Sequence, residues 1–214
     1  MSENQMLDLI DSAHMTQGSS TNFTSDRFGN SNSALGLNGG WTQVPSGVYF
    51  NTPEFTISLW VMPRHCDKSS RIIDFGNGPA RDNIVFSISG AKRLPRLHIY
   101  SGENEVIYLE SNEAFKADEW QFLTSTFNGT HARIYINGQL TAETIKSYSL
   151  PTLSRSNCYI GKSNWPEDGY SQSFLDDLRF YNKSLTQDEI IELMDEKAAG
   201  KILNMNLIIS FKIF

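Results

Sequence analysis

Ten short runs of strand-like composition follow one another between Ser33 and Asn182, and no other feature of the chain restricts its fold as much. They read SALGLNGGWTQVP, FTISLWVMP, RIIDFGNG, DNIVFSISG, PRLHIYSG, EVIYLES, EWQFLTSTFNG, HARIYINGQ, CYIGKSNW and FLDDLRFYN. Each is bounded by Gly, Asn, Pro, Asp or Ser, the residues that turn a chain. In RLHIY, Leu97 and Ile99 share one parity while Arg96, His98 and Tyr100 share the other, and ARIYING sets Ile134 and Ile136 against Arg133 and Tyr135. Such alternation gives a strand one apolar and one polar face, and ten strands of this kind predict an all-β antiparallel sandwich or barrel. Two turn signals, Asn128-Gly129 and Asn137-Gly138, predict two hairpins; the second is the dipeptide a type I′ turn selects.

One helix is expected near the C-terminus. Thr186 and Glu189 form a capping box, Ile190, Ile191 and Met194 give an apolar face, and Gly200 is a natural stop, so the helix should run from about Gln187 to Ala199. Residues 1–20 are polar and unpatterned, residues 21–199 read as one domain, and residues 200–214 read as a tail or an extra strand. A sandwich of this length is commonly a single domain.

Charge excludes some partners. A net charge of −6, with the 18 Lys and Arg scattered, offers no basic field for nucleic acid. No apolar run approaches the ~20 residues that span a bilayer, and MSENQMLDLIDSAHM lacks the pattern of a signal peptide. Sequons at Asn22, Asn128 and Asn182 would be glycosylation acceptors in a secreted chain. Cys66 and Cys158, 92 positions apart, are either a long-loop disulfide or two separate thiols.

The order of DRFGNSNSALGLNGG, FTISLWVMP, RIIDFGNG, FNGTHARIYINGQ, YIGKSNW and LDDLRFYNKSLTQDEI resembles the laminin G-like, pentraxin-like branch of the concanavalin A-like lectin and glucanase superfamily, from about Ser25 to Met194. The resemblance implies a two-sheet antiparallel jelly roll with one short C-terminal helix. It also implies ligands on the concave face or the loop rim, often with calcium, and an extracellular or cell-surface setting.

Glucanases of this superfamily resemble one another in a Glu-x-Asp-x-x-Glu strand, whose two carboxylates do the chemistry of a retaining mechanism. This chain has no such run and no Gly-x-Ser-x-Gly elbow, and acidic clusters such as those at 103–105 and 166–168 lie in turns, where carboxylates are expected to be solvated. No catalytic residue is assigned. The expected function is a non-catalytic module binding an extracellular glycan or protein; the alternatives are a structural or adhesion domain that contacts another protein and, last, a polysaccharide-acting enzyme.

Asp176 and Asp177 are neighbours on a strand, so their carboxylates should point to opposite faces, with Asp176 sharing the parity of Leu178 and Phe180. An acid aimed at the interior demands a partner. The resemblance offers a structural calcium, held by Asp176 with carbonyls of the N-terminal segment and the Gly39-Gly40 turn; the alternative is an arginine or backbone N–H groups. ARDNIVFSI resembles the pentraxin stretch whose Asp-Asn pair holds calcium, here Asp82 and Asn83, although the acids pentraxins add later are replaced by Ser163, Asn164 and Trp165. Glu167 and Asp168 could stand in only if their loop bends back, and a simple turn at Asp82-Asn83 is the alternative. Arg96, His98 and Tyr100 could line a polar groove, while Trp165, in an Asn164-Trp165-Pro166 loop, could stack on a sugar or cover the core edge. Trp41, Trp60 and Trp120 are expected in the core.

Overall fold

The computed structural model describes residues 6–8, 15–65, 70–89, 92–195 and 207–213. Among these, the chain forms β1 (Met6–Asp8), β2 (Thr16–Thr24), β3 (Ala34–Val44), β4 (Phe55–His65), β5 (Ser70–Gly76), β6 (Ile84–Ser89), β7 (Leu94–Ser101), β8 (Asn104–Glu110), β9 (Gln121–Phe127), β10 (His131–Ile136), β11 (Gln139–Ile145), β12 (Asn157–Ile160), β13 (Ser171–Tyr181), α1 (Gln187–Asp195) and β14 (Leu207–Ile213). The strand order is β11-β10-β9-β4-β13-β3-β12-β5-β6-β7-β8, with β2 on β3, β14 on β13 and β1 on β14.

Strand β3 makes this path two layers. Its first half pairs with β13, from Leu35 opposite Leu175 to Gly40 opposite Ser171, and its end pairs with β12, from Thr42 opposite Ile160 to Val44 opposite Cys158. The strands before it form one sheet and those after it the other. Between them lies a single core in which Leu59, Leu123 and Ile134 of the first sheet meet Ile73, Phe86 and Leu97 of the second. Phe75 of β5 stacks on Phe180 of β13 at 5.3 Å, and Phe50 presents its edge to both, so aromatic rings tie the layers together. The alternation read from the sequence is what builds this: Leu97 and Ile99 are fully buried while Arg96, His98 and Tyr100 look outward.

The hairpin between β10 and β11 turns at Asn137 (φ 50°) and Gly138 (φ 76°), both in the left-handed region that a type I′ turn needs. Between β9 and β10, the Asn128 side chain accepts the N–H groups of Thr130 and His131. The capping box is formed: the Glu189 carboxylate accepts the Thr186 N–H at 2.8 Å, and the Thr186 hydroxyl accepts the Glu189 N–H at 3.3 Å. Helix α1 packs Ile190 and Leu193 on the outer face of the first sheet, against Phe122, Tyr135 and Tyr181. It ends at Asp195, and residues 196–199 of the expected helix lie outside the described residues. Residues 207–213 of the C-terminal segment form β14, and β2 already begins at Thr16, within the segment expected to be unpatterned.

The three tryptophans expected in the core are half-buried instead. Parity explains two of them. Trp60 alternates with the buried Leu59 and Val61, and Trp41 with Thr42 and Val44, so both rings stand on outward faces. Trp120 stands just before β9, outside any strand.

Candidate functional site

Asp176 and Asp177 do not point apart. Between Trp60 and Ser58 of β4 two residues elapse, while between their partners Asp176 and Arg179 of β13 three do, so β13 carries one extra residue. That bulge is made by Asp177, whose φ of 49° is a conformation Asp tolerates. Leu175 and Leu178 therefore both enter the core, and the two carboxylates between them stay on the outer face. There the Arg27 guanidinium holds both, donating from Nη1 to Asp176 and from Nη2 to Asp177 at 2.8 Å. Arg27 lies 4.4 Å from the Phe28 ring centroid and 5.0 Å from that of Trp60, and its side chain is 6% exposed. The loop that delivers it is fixed by Asp26, whose carboxylate accepts the N–H groups of Phe28 and Asn30 at 2.8 Å each. Burial first, then the neighbouring Asp177, push the Asp176 carboxyl up to about 6, with Arg27 pulling the other way.

These residues do not fit a calcium cage. Asp176 is engaged by a guanidinium, and Gly40 lies opposite Ser171, five positions along the strand and thus roughly 15 Å away. Gly39 lies between Gly40 and Asn38, and Asn38 is opposite Gln172, still four positions along the strand from Asp176. Asp82 and Asn83 also part company: the Asp82 carboxylate accepts the N–H of Gly102, in the connection between β7 and β8, at 2.7 Å, and Asn83 donates to Asp74 at 2.7 Å. The buried Arg155 holds the same segment by donating from Nε to the Asp82 carbonyl at 2.8 Å. Among the described residues no three His, Cys, Asp or Glu side chains gather as a metal would require. Cys158 is a free, buried thiol, pushed up to about 12 chiefly by burial, while Cys66 lies outside the described residues.

The outward face of the second sheet holds the remaining candidates. Arg96 is paired with Glu110, and His98 places Nδ1 2.6 Å from Glu105. Burial lowers the His98 pKa more than Glu105 raises it, and Nε2 is buried without a partner. His98 and Tyr100 stack in parallel, and the Tyr100 ring meets Trp165 at 5.5 Å.

Trp165 reaches this face because the loop from Gly161 to Tyr170 folds back over it. Gly161 (φ 83°) starts the reversal, at a place where a Cβ would lie 2.6 Å from the Gly40 carbonyl oxygen. Asn164 then anchors the loop, its N–H 2.8 Å and its side-chain amide 2.9 Å from the carboxylate of fully buried Asp74. With Asn83 added, both Asp74 oxygens are met by amide donors, which oppose the upward push of burial on its pKa. Asp168 accepts from Arg71 at 2.8 Å and from Ser163 at 2.7 Å, and Arg71 lies 5.4 Å from the Trp165 ring. Asp168, expected to be solvated, is thus a structural partner, and Glu105 belongs to β8 rather than a turn.

The folded loop encloses a cleft of about 250 Å³. Its walls include Tyr159, Trp165 and Tyr170, with Asn157, Lys162 and Asp168 supplying polar groups. The structure sets the Tyr100 ring against Trp165, places Arg96 and His98 on the same strand face as Tyr100, turns Asn164 inward to Asp74, and adds Tyr159, Lys162, Tyr170 and Arg71. The sequence carried a signal for Tyr159, which alternates with Cys158 and Ile160; it carried none for the pairing of Arg71 with Asp168, 97 positions apart.

Among the described residues no helix is long and apolar enough to cross a membrane. No curated protein sequence matches the chain. Solved structures similar to it include domain 4 of AbnA, a GH43 extracellular arabinanase from Geobacillus stearothermophilus, in complex with arabinotriose (TM-score 0.63, 18% identity, 90% of this chain and 100% of that one). They also include botulinum neurotoxin type C, from a study of its dependence on two ganglioside molecules for cell entry (TM-score 0.65, 17% identity, 90% and 51%). A third is the binding domain of botulinum neurotoxin DC in complex with SialylT (TM-score 0.63, 14% identity, 90% and 50%). The chain thus spans the whole of the arabinanase domain and about half of the toxin chains. At these identities the likeness establishes the shared fold, a jelly-roll sandwich. Residues 36–191 match the laminin G family model Laminin_G_3, and the chain belongs to the concanavalin A-like lectin/glucanases superfamily.

Proposed function

We propose that this domain is a non-catalytic, extracellular glycan-binding module, and that it holds sugar in the cleft beneath the Gly161–Tyr170 loop. The observation that carries this reading is the composition of the walls: three aromatic rings, Tyr159, Trp165 and Tyr170, beside the amide of Asn157 and the ammonium of Lys162. A pyranose or furanose ring has an apolar face and an equatorial set of hydroxyls. Rings match the first, and planar amides and charged donors match the second.

The carboxylates of this face support a binding role over a hydrolytic one. Glu110 is held by Arg96, Glu105 by His98, Asp168 by Arg71 and Asp74 by Asn83 and Asn164, so each is engaged in structure. A glycosidase needs two carboxyls free to exchange protons and attack. An extracellular setting is supported by the similar domain of an extracellular arabinanase and by its complex with a sugar.

A broad glycan array tests the proposal. Binding that weakens about tenfold in Trp165→Ala supports it; silence across the array, or binding indifferent to that substitution, overturns it, and a protein ligand for this face would then be the next reading.

A further inference from the structure

Lys162 reaches the cleft between two rings, its ammonium 4.3 Å from the Trp41 centroid and 4.5 Å from the Tyr159 centroid. Unlike Arg71 and Arg96, it has no counter-ion among the described residues. Arg71 is paired with Asp168 and Arg96 with Glu110. Among the described residues no carboxylate lies within ion-pair distance of Lys162, and no oxygen accepts a hydrogen bond from it. Because Asp168 is already paired with Arg71, Lys162 is the charged group of the cleft lining that no ion pair answers among the described residues.

From this geometry we infer that the cleft selects acidic sugars, with the Lys162 ammonium pairing the carboxylate of a uronic or sialic acid while Tyr159 and Trp165 take the ring. The inference rests on the glycan-binding reading and adds the class of glycan. The flanking rings cover two sides of the half-buried lysine, and the ammonium keeps its hydrogen-bond donors for an anion that arrives on the open side. A carboxylate brings charge-assisted hydrogen bonds that a neutral hydroxyl at the same place does not. The two rings also hold the lysine chain against its own rotamer freedom, so less is lost when the pair forms.

The test is calorimetric titration of the full chain with matched pairs: sialyllactose against lactose, and trigalacturonate against galactotriose. The acidic member of at least one pair should bind on the order of tenfold more tightly than its neutral partner. That ratio should shrink in high salt and fall to about one in Lys162→Gln, while Lys162→Arg retains a preference. Whichever pair shows the preference identifies the acid as sialic or uronic. Equal binding of acidic and neutral members, or a preference untouched by Lys162→Gln, overturns this inference and leaves glycan binding standing. Absence of binding by all four, together with a silent array, overturns the glycan reading itself and this inference with it.

Discussion

Arg27 and Lys162 are both cations lodged against a pair of aromatic rings on an outward sheet face, yet their surroundings differ in one respect. Arg27 lies against Phe28 and Trp60 with two carboxylates in its fork. Lys162 lies against Trp41 and Tyr159 with none. The first arrangement is closed: a side chain from the N-terminal loop locks onto the bulge of β13, about 150 residues later in sequence, and every charge is answered within the chain. The second is open on one side. A saturated cation holds a fold together, whereas an unsaturated one at the mouth of a cleft is a place for something else to bind.

The comparison breaks most easily through stability. Arg27→Ala leaves buried Asp176 without its cation and Asp177 with only Arg179 at 3.6 Å, and should lower the free energy of unfolding by about 3–5 kcal/mol, measured by urea denaturation. Lys162→Ala should cost less than about 1 kcal/mol; equal losses at the two positions would erase the distinction. Asn164→Ala should lie between them, at about 1–3 kcal/mol, because it removes the side-chain amide that donates to buried Asp74 at 2.9 Å and leaves only the backbone N–H. It should also weaken glycan binding, since the loop loses its anchor. Trp165→Ala should leave the urea midpoint nearly unchanged while lowering glycan affinity about tenfold.

The closed centre makes a smaller, pH-dependent prediction. Folded Asp176 titrates near 6 against an ordinary value of 3.8, because burial and Asp177 outweigh Arg27. Between those two values the folded chain keeps a proton that the unfolded chain has lost, so this group erodes stability as pH rises through the window. Asp176→Asn should therefore gain stability relative to the native protein between about pH 4 and pH 6.5, in paired urea curves; a constant difference would place the titration elsewhere. Smallest of all is the effect of chelator: with a guanidinium in the place of a cation, EDTA should leave the melting temperature unchanged, and a drop would show that a metal does stabilise the fold.

The two regions were also unequally legible in the sequence. The sandwich, the outward row Arg96-His98-Tyr100, the Asn137-Gly138 turn and the capping box all rest on local patterns, with periods or spacings of two to four residues, and all are found. The Arg27 centre rests on a bulge. Strict alternation sends Asp176 and Asp177 to opposite faces, and only the positive φ at Asp177 keeps both on one. Nothing within the run LDDLRFY indicates where the extra residue falls, because Arg27, far away in the chain, draws both carboxylates to one side. The tryptophans teach a related lesson: their bulk suggests burial, but Trp41 and Trp60 obey their strand parity and face outward. The cleft was half legible. Trp165 and Asn164 stand out as residue types, while Lys162, Tyr159 and Tyr170 acquire meaning only when the loop folds back on Asp74.

The four indole N–H groups offer the most direct test, since two of the rings flank these two cations and a third lines the cleft. In a nitrogen–proton correlation spectrum titrated with the tightest-binding array glycan, the indole resonances of Trp165 and Trp41 should shift progressively while that of Trp60, beside Arg27, stays fixed. A shift confined to Trp60, or no indole shift during saturable binding, would contradict the assignment of the Lys162 cleft as the binding site.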